Sequence, residues 1–336
     1  MNRKWIVYAK ATFAVLVWGA SFIATKVALQ NGPSPFSAGG GNPVSSTGAQ
    51  LSAISPVTVV WLRFSIGVVI LGFAVITRKQ FALPSNYKEW AYLALLGFLG
   101  ITFHQWLQST GLVTAQATTT AWIVATTPIF MALLGWLILK EKLGWAKSAG
   151  IVLAAAGVLL VVSKGDFAAL YAGRFGSPGD FLIMISAPNW AIFSVLSRRG
   201  LQKYPAARMM LYVMAFGWLF TSILFFSGPG FSEIGQLSLA GWVGIGFLGV
   251  ACSGLAYIFW YDALQAIPAS QLGVFLYLEP LVALVVAAIV LAEPVLWASL
   301  LGGGIILLGV WLVNRPEDAA ARIGALQRLG RNQEPR

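Results

Sequence analysis

Glu279 lies in the middle of an apolar run, residues 270–291, and is followed at once by Pro280. An ionisable side chain inside hydrocarbon costs about 2.5–3.5 kcal/mol on insertion scales, so a carboxyl kept there has either a partner or a task. Pro280 has no backbone N–H and deprives the Leu276 carbonyl of its helical donor. A protonated Glu279 could satisfy that carbonyl; the alternative is a carboxyl that carries a proton or holds a substrate ammonium. Pro128 weakens a second apolar run at matching depth, with Trp122, Thr126 and Thr127 beside it and Tyr277 beside Pro280. Trp18, Asn189 and Trp190 stand at similar depth in two further runs, where an aromatic ring either packs or offers its face to an ammonium. Arg63 lies about two turns into its run. It either snorkels outward or pairs with a carbonyl, or it gates a vestibule or attracts a carboxylate. Lys26, nearer the edge, is expected to snorkel, and Asp262 to sit at the interface near Arg198 or Arg199. His104 is the only histidine, and no Cys/His cluster exists, so no metal site is expected. With Gln105 and Gln108 it gives its run a polar side, suited to lining a cavity or to bonding another helix. Together these residues suggest a substrate site in mid-membrane with hinge points at Pro128 and Pro280 and no catalytic group.

The elements that must position them repeat. Residues 117–162 and 269–314 align without a gap at an offset of 152, which places Pro128 on Pro280, Glu141 on Glu293, Trp145 on Trp297, Gly150 on Gly302 and Gly157 on Gly309. Upstream, Gly97-Phe98-Leu99-Gly100 recurs as Gly246-Phe247-Leu248-Gly249. A self-similar unit of half the chain points to a duplicated domain. Ten runs approach the roughly 20 apolar residues that span a bilayer: 8–29, 57–76, 90–110, 114–137, 147–163, 179–197, 208–227, 239–261, 270–291 and 297–313. In lipid every backbone group needs an internal partner, so such runs are helices. The expected fold is an all-α polytopic membrane protein of ten transmembrane helices in two five-helix repeats, 8–163 and 179–313, with a basic tail over 314–336. Five is odd, so the repeats must be inverted. Lys140-Glu141-Lys142 against Ala292-Glu293-Pro294 shows how: lysines hold one copy inside, and their loss frees the other. Inverted repeats are a recurrent transporter architecture, with the substrate near the midplane between them. Gln30–Ser55, rich in Gly, Ser and Pro and without charge, is an insertion absent from the second repeat and reads as a solvated outer loop.

A hydrophobic fraction of 58% with 10% charged residues and mean hydropathy +0.78 excludes an ordinary soluble domain. Net charge +11 could suggest nucleic acid, but all but four of the 22 Lys and Arg fall in segments on one side, so the charge encodes orientation and no nucleic-acid partner is expected. Both termini are then cytoplasmic, in a multi-pass protein of a bacterial inner membrane, with the lipid bilayer and a small molecule as partners. Ile323, Leu326 and Leu329, interleaved with Arg322, Arg328 and Arg331, could rest on the anionic leaflet or fray. The first run is too long for a secretory signal and is read as a retained helix. Cys252 alone makes no internal disulfide. No phosphate-binding loop is present, so neither ATP nor another cofactor is expected, while proton coupling through Glu279 is open.

Gly111-Leu112, Pro128-Ile129-Phe130, Leu139-Lys140-Glu141, Trp145, Gly150 and Gly157-Val158 form a pattern with Pro280-Leu281, Leu291-Ala292-Glu293, Gly302 and Gly309-Val310. With Trp18-Gly19-Ala20-Ser21-Phe22, Pro56 and Arg63-Phe64, the chain from Phe13 to Val313 resembles the EamA family of the drug/metabolite transporter superfamily. The resemblance implies ten helices, both termini inside, and export or exchange of small metabolites, often amino acids, around a central cavity. Tyr212 stands where Arg63 would recur, and the insertion at Gln30–Ser55 departs from the family. An intramembrane enzyme and a non-transporting scaffold are the competing classes. Tyr261-Asp262 is half of an intramembrane aspartyl-protease pattern, but its second half and any Ser–His pairing are missing, so a non-enzyme is expected.

Overall fold

The computed structural model describes residues 3–32, 53–139, 144–166, 168, 171, 176–267 and 272–314. Within them the chain is helical and contains no strand. The helices are α1 (Arg3–Gln30), α2 (Pro56–Thr77), α3 (Tyr87–Gly97), α4 (His104–Gly111), α5 (Ala117–Val124), α6 (Thr127–Leu139) and α7 (Trp145–Val162). They continue as α8 (Pro178–Lys203), α9 (Ala206–Phe226), the short α10 (Gly230–Ile234), α11 (Leu239–Gly246), α12 (Ala256–Ala266), α13 (Glu279–Val290) and α14 (Trp297–Asn314). Eight helices or helical rods are long and apolar enough to cross a membrane. Two of the ten expected spans fall short of that mark for physical reasons. The α3–α4 rod carries His104, Gln105 and Gln108, and the helix Phe275–Val290 is short.

Departures from α-helical geometry sit where the repeat places them. The recurring Gly-Phe-Leu-Gly opens a π-helical segment each time: Phe98–Phe103 joins α3 to α4, and Phe247–Leu255 joins α11 to α12. A π-segment leaves carbonyls without regular partners, and such segments are frequent at functional sites. Here side chains from elsewhere take those carbonyls. Asn189 Nδ2 donates to Leu99 O at 2.8 Å, and Trp18 Nε1 donates to Cys252 O at 3.1 Å. Before Pro128 the fourth run breaks between α5 and α6, and the Thr126 and Thr127 hydroxyls donate to the carbonyls of Ile123 and Val124. Before Pro280 the chain forms a 3-10 turn, Val274–Leu278. The Glu279 backbone N–H donates to Leu276 O there, so that carbonyl is satisfied by the backbone and not by the Glu279 side chain.

Packing follows the same duplication. α1 lies against the α11–α12 rod and α13, and α8 lies against α4, α5 and α6; α2 packs on α9, and α7 packs on α14. In the α7–α14 contact a Cβ on Gly150 would come within 2.6 Å of Gly309 O, and one on Gly157 within 2.7 Å of Gly302 O. Shifting each partner by the offset of 152 turns the first contact into the second. Small residues let backbones approach this closely where lipid gives no hydrophobic drive for helices to associate.

Two charged side chains are not where their positions suggested. Lys26 does not snorkel: its Nζ reaches Glu293 Oε1 at 3.2 Å and Ala115 O at 2.8 Å. The turn after α13 explains this, because Ala292 adopts φ 51° and the chain swings Glu293 back over α5. Its carboxylate also accepts from the Ala117 and Thr118 amides and the Thr118 hydroxyl, capping that helix. Asp262 pairs with Lys10 at 2.7 Å and Arg78 at 2.8 Å, not with Arg198 or Arg199, since α12 packs on α1. At the start of α3 the Glu89 carboxyl is held at about 2 by Lys203, then by Tyr204 and the Ser85 amide. The insertion 33–52, Lys140–Lys142 and the tail beyond Asn314 lie outside the described residues. The insertion's two ends meet, with Ile54 N donating to Leu29 O at 2.9 Å and Ser55 bonding Glu233.

Candidate binding site inside the helix bundle

Arg63 and the two π-segments define the polar interior. Arg63 is 5% exposed on α2. Its Nε donates to Ser253 Oγ at 2.8 Å, inside one π-segment. Its Nη1 donates to Gln105 Oε1 at 2.9 Å, just past the other. The guanidinium lies 5.1 Å from the Phe64 ring centroid. It therefore does not snorkel, and the carbonyl it meets is the side-chain amide of Gln105. One cation ties together the two segments that the repeated tetrapeptide opens.

His104, next to Gln105, is buried, and its ring is 4.6 Å from that of Trp190. Its Nδ1 has no hydrogen-bond partner among the described residues. Trp190 continues onto Phe193 at 4.8 Å, and that ring packs where Gly100 lacks a side chain. On the facing side Trp18 stands edge-on to Tyr257 at 5.6 Å and tilts onto Trp260 at 5.2 Å. The next residue, Gly19, allows the Glu279 carbonyl against α1, where a Cβ would come within 2.7 Å of it. Glu279 is half-buried, and its carboxyl makes no hydrogen bond or ion pair among the described residues. The Glu279 backbone and Trp18 thus meet along α1, while Arg63, Gln105, His104 and Trp190 form a second group linked to Trp18 through Ser253, Cys252 and Tyr257.

The other expected residues have separate neighbours. Trp122 is buried against α14, its ring filling the space beside Gly303, and its Nε1 has no partner among the described residues. Tyr277 points to the end of α14, where Asn314 Nδ2 donates to its hydroxyl at 3.0 Å. Thr126 and Thr127 are occupied with the backbone of the break. Asn189 serves the π-segment, though its neighbour Trp190 reaches the polar group. Sequence reasoning missed Ser253, Cys252 and Tyr257; the repeated tetrapeptide just upstream of Ser253 was the available signal.

Among the described residues the chain is an all-helical bundle with eight helices or rods fit to cross a membrane and ionisable groups in its interior, features that membrane transport proteins have. The sequence profile of the EamA-like transporter family matches residues 34–163 and again 177–315, and the chain belongs to that family. An uncharacterized transporter of Archaeoglobus fulgidus is 28% identical over 93% of this chain and 98% of its own length. The uncharacterized transporter YdfC of Bacillus subtilis is 30% identical over 78% of this chain and 83% of its own. A probable terminal-alkyne amino-acid exporter of Streptantibioticus cattleyicolor is 28% identical over 68% of this chain and 74% of its own. A solved crystal structure at 19% identity has the same fold, with a TM-score of 0.59 over 91% of this chain and 95% of that one.

Proposed function

We propose that this chain is a secondary transporter that exports amino acids or related small metabolites by alternating access around a cavity between two inverted repeats, with both termini cytoplasmic. The observation that carries the reading is Glu279. Its carboxyl is half-buried at a helix break and has no partner among the described residues, although the bilayer makes an idle acid costly. The backbone carbonyl it was expected to serve is already taken by its own N–H. A substrate ammonium or a transported proton gives the group its role. The family supports transport, and one relative's name, amino-acid exporter, supports the cargo class. The crossed glycine contacts of α7 and α14 are what a two-fold relation between repeats requires. Pro128 and Pro280 would serve as the hinges.

The test is counterflow of labelled amino acids in proteoliposomes, with and without a pH gradient, for the wild type and Glu279→Gln. The amide keeps shape and a donor, so the variant should fold and insert. Its transport should fall at least about tenfold and lose most of its pH dependence. A normal rate with an unchanged pH profile would make Glu279 structural.

A further inference from the structure

We propose that Arg63 is the anion-reading group of this site, so that the substrate must carry a carboxylate. The inference rests on the transport reading above and deepens it. Guanidinium stays charged at any accessible pH and offers five N–H donors in a planar fork. Arg63 is 5% exposed, and both its bonded partners, Ser253 and Gln105, are neutral. Two of the five donors are engaged; among the described residues Nη2 and the second N–H of Nη1 have no partner. A buried charge without a counter-ion is strongly unfavourable.

Among the described residues no acid pairs with Arg63. Glu89 is held by Lys203, Asp262 by Lys10 and Arg78, and Glu293 by Lys26. Glu233 takes Ser55, Asp180 caps α8 through Ser177, and Glu279 makes no ion pair among the described residues. A structural strut between two π-segments needs neutral hydrogen bonds, which a glutamine could make. A permanent cation with a free edge of its fork fits a ligand carboxylate bound through two parallel N–H···O bonds. A second polar atom without a partner lies in the same neighbourhood, His104 Nδ1, one residue from Gln105. Both groups that hold Arg63 belong to, or directly follow, the π-segments, so a carboxylate docking there touches both halves of the chain at once.

The experiment measures thermal stabilisation of purified protein, and flux in proteoliposomes, against three sets of compounds. These are the standard amino acids, their methyl esters and their decarboxylated amines. The wild type should be stabilised by at least one acid and about 10- to 100-fold less effectively by its ester and amine, the loss expected for a charge-assisted pair. Arg63→Gln should abolish that preference, so that acid, ester and amine stabilise the variant alike. Arg63→Lys keeps the charge but not the fork and should fall between. Should Arg63→Gln fail to fold, Gln105→Ala and Ser253→Ala test the same point, because each loosens the fork while keeping the cation. Equal binding of acid and ester by the wild type overturns the proposal, as does a preference that survives in every variant, or no stabilisation by any acid. Arg63-dependent binding without flux would uphold the carboxylate site and overturn transport instead.

Discussion

At the scale of single residues, charge placement in this chain is decided by partners far away in sequence. Arg63 meets Gln105 and Ser253, 42 and 190 positions distant, and nothing local to Arg63 announces either. Lys26 looked free to snorkel because its partner lies 267 residues on, at the turn after α13. The pair is well buried, with side chains 14% and 8% exposed, and Glu293 also caps α5 through the Ala117 and Thr118 amides. Removing one partner leaves the other charge uncompensated, which typically costs about 3–5 kcal/mol, whereas replacing both by apolar groups is often close to neutral. Glu293→Gln should therefore lower the unfolding free energy in detergent by a few kcal/mol. Lys26→Met combined with Glu293→Met should recover part of it. Additive losses in the double variant would show that the two side chains act independently.

At the scale of elements, much was legible because the duplication made each irregularity appear twice. Matched Pro128 and Pro280 announced breaks, and the chain breaks at both. The matched Gly-Phe-Leu-Gly packs closely at Gly97, Gly100 and Gly249 and also opens π-segments, a geometry that side-chain periodicity does not encode. Gly150, Gly157, Gly302 and Gly309 were legible as matched positions of the repeat, but their crossed pairing was not, since an offset says which residues correspond and not which ones touch. That pairing makes a measurable claim. Gly157→Leu and Gly302→Leu each drive a side chain into the same crossing and should each cost about 1–3 kcal/mol. The two losses should be non-additive, because the first substitution already separates α7 from α14 there. Additive losses in the double variant would mean that the helices do not meet at these glycines.

At the scale of the whole molecule, the spans and the charge bias were readable from composition, because hydrocarbon thickness and the cost of moving Lys and Arg across it act on every run alike. Two spans were less plain, since the α3–α4 rod carries part of the polar site and the segment at α13 is shortened by the break that exposes Glu279. What makes a span poor in hydropathy is here what makes it interesting chemically. Orientation remains the joint claim of the whole chain, and it can be tested on single-cysteine variants because the native Cys252 is buried and should label weakly. A membrane-impermeant thiol reagent should reach cysteines placed at Gly228 or Ser232 only from outside the cell, and at Lys79 or Lys203 only from inside. The second set matters most, since Lys79 follows α2 and Lys203 ends α8, and the proposed inversion of the repeats would send both to the cytoplasm. Lysines introduced at Ala292 and Pro294 would restore the anchor that Lys140 and Lys142 give the first repeat, and should reduce membrane insertion of the second. Outside labelling at Lys203 would leave the helices in place but remove the inversion, and with it the case for a shared midplane site between two halves.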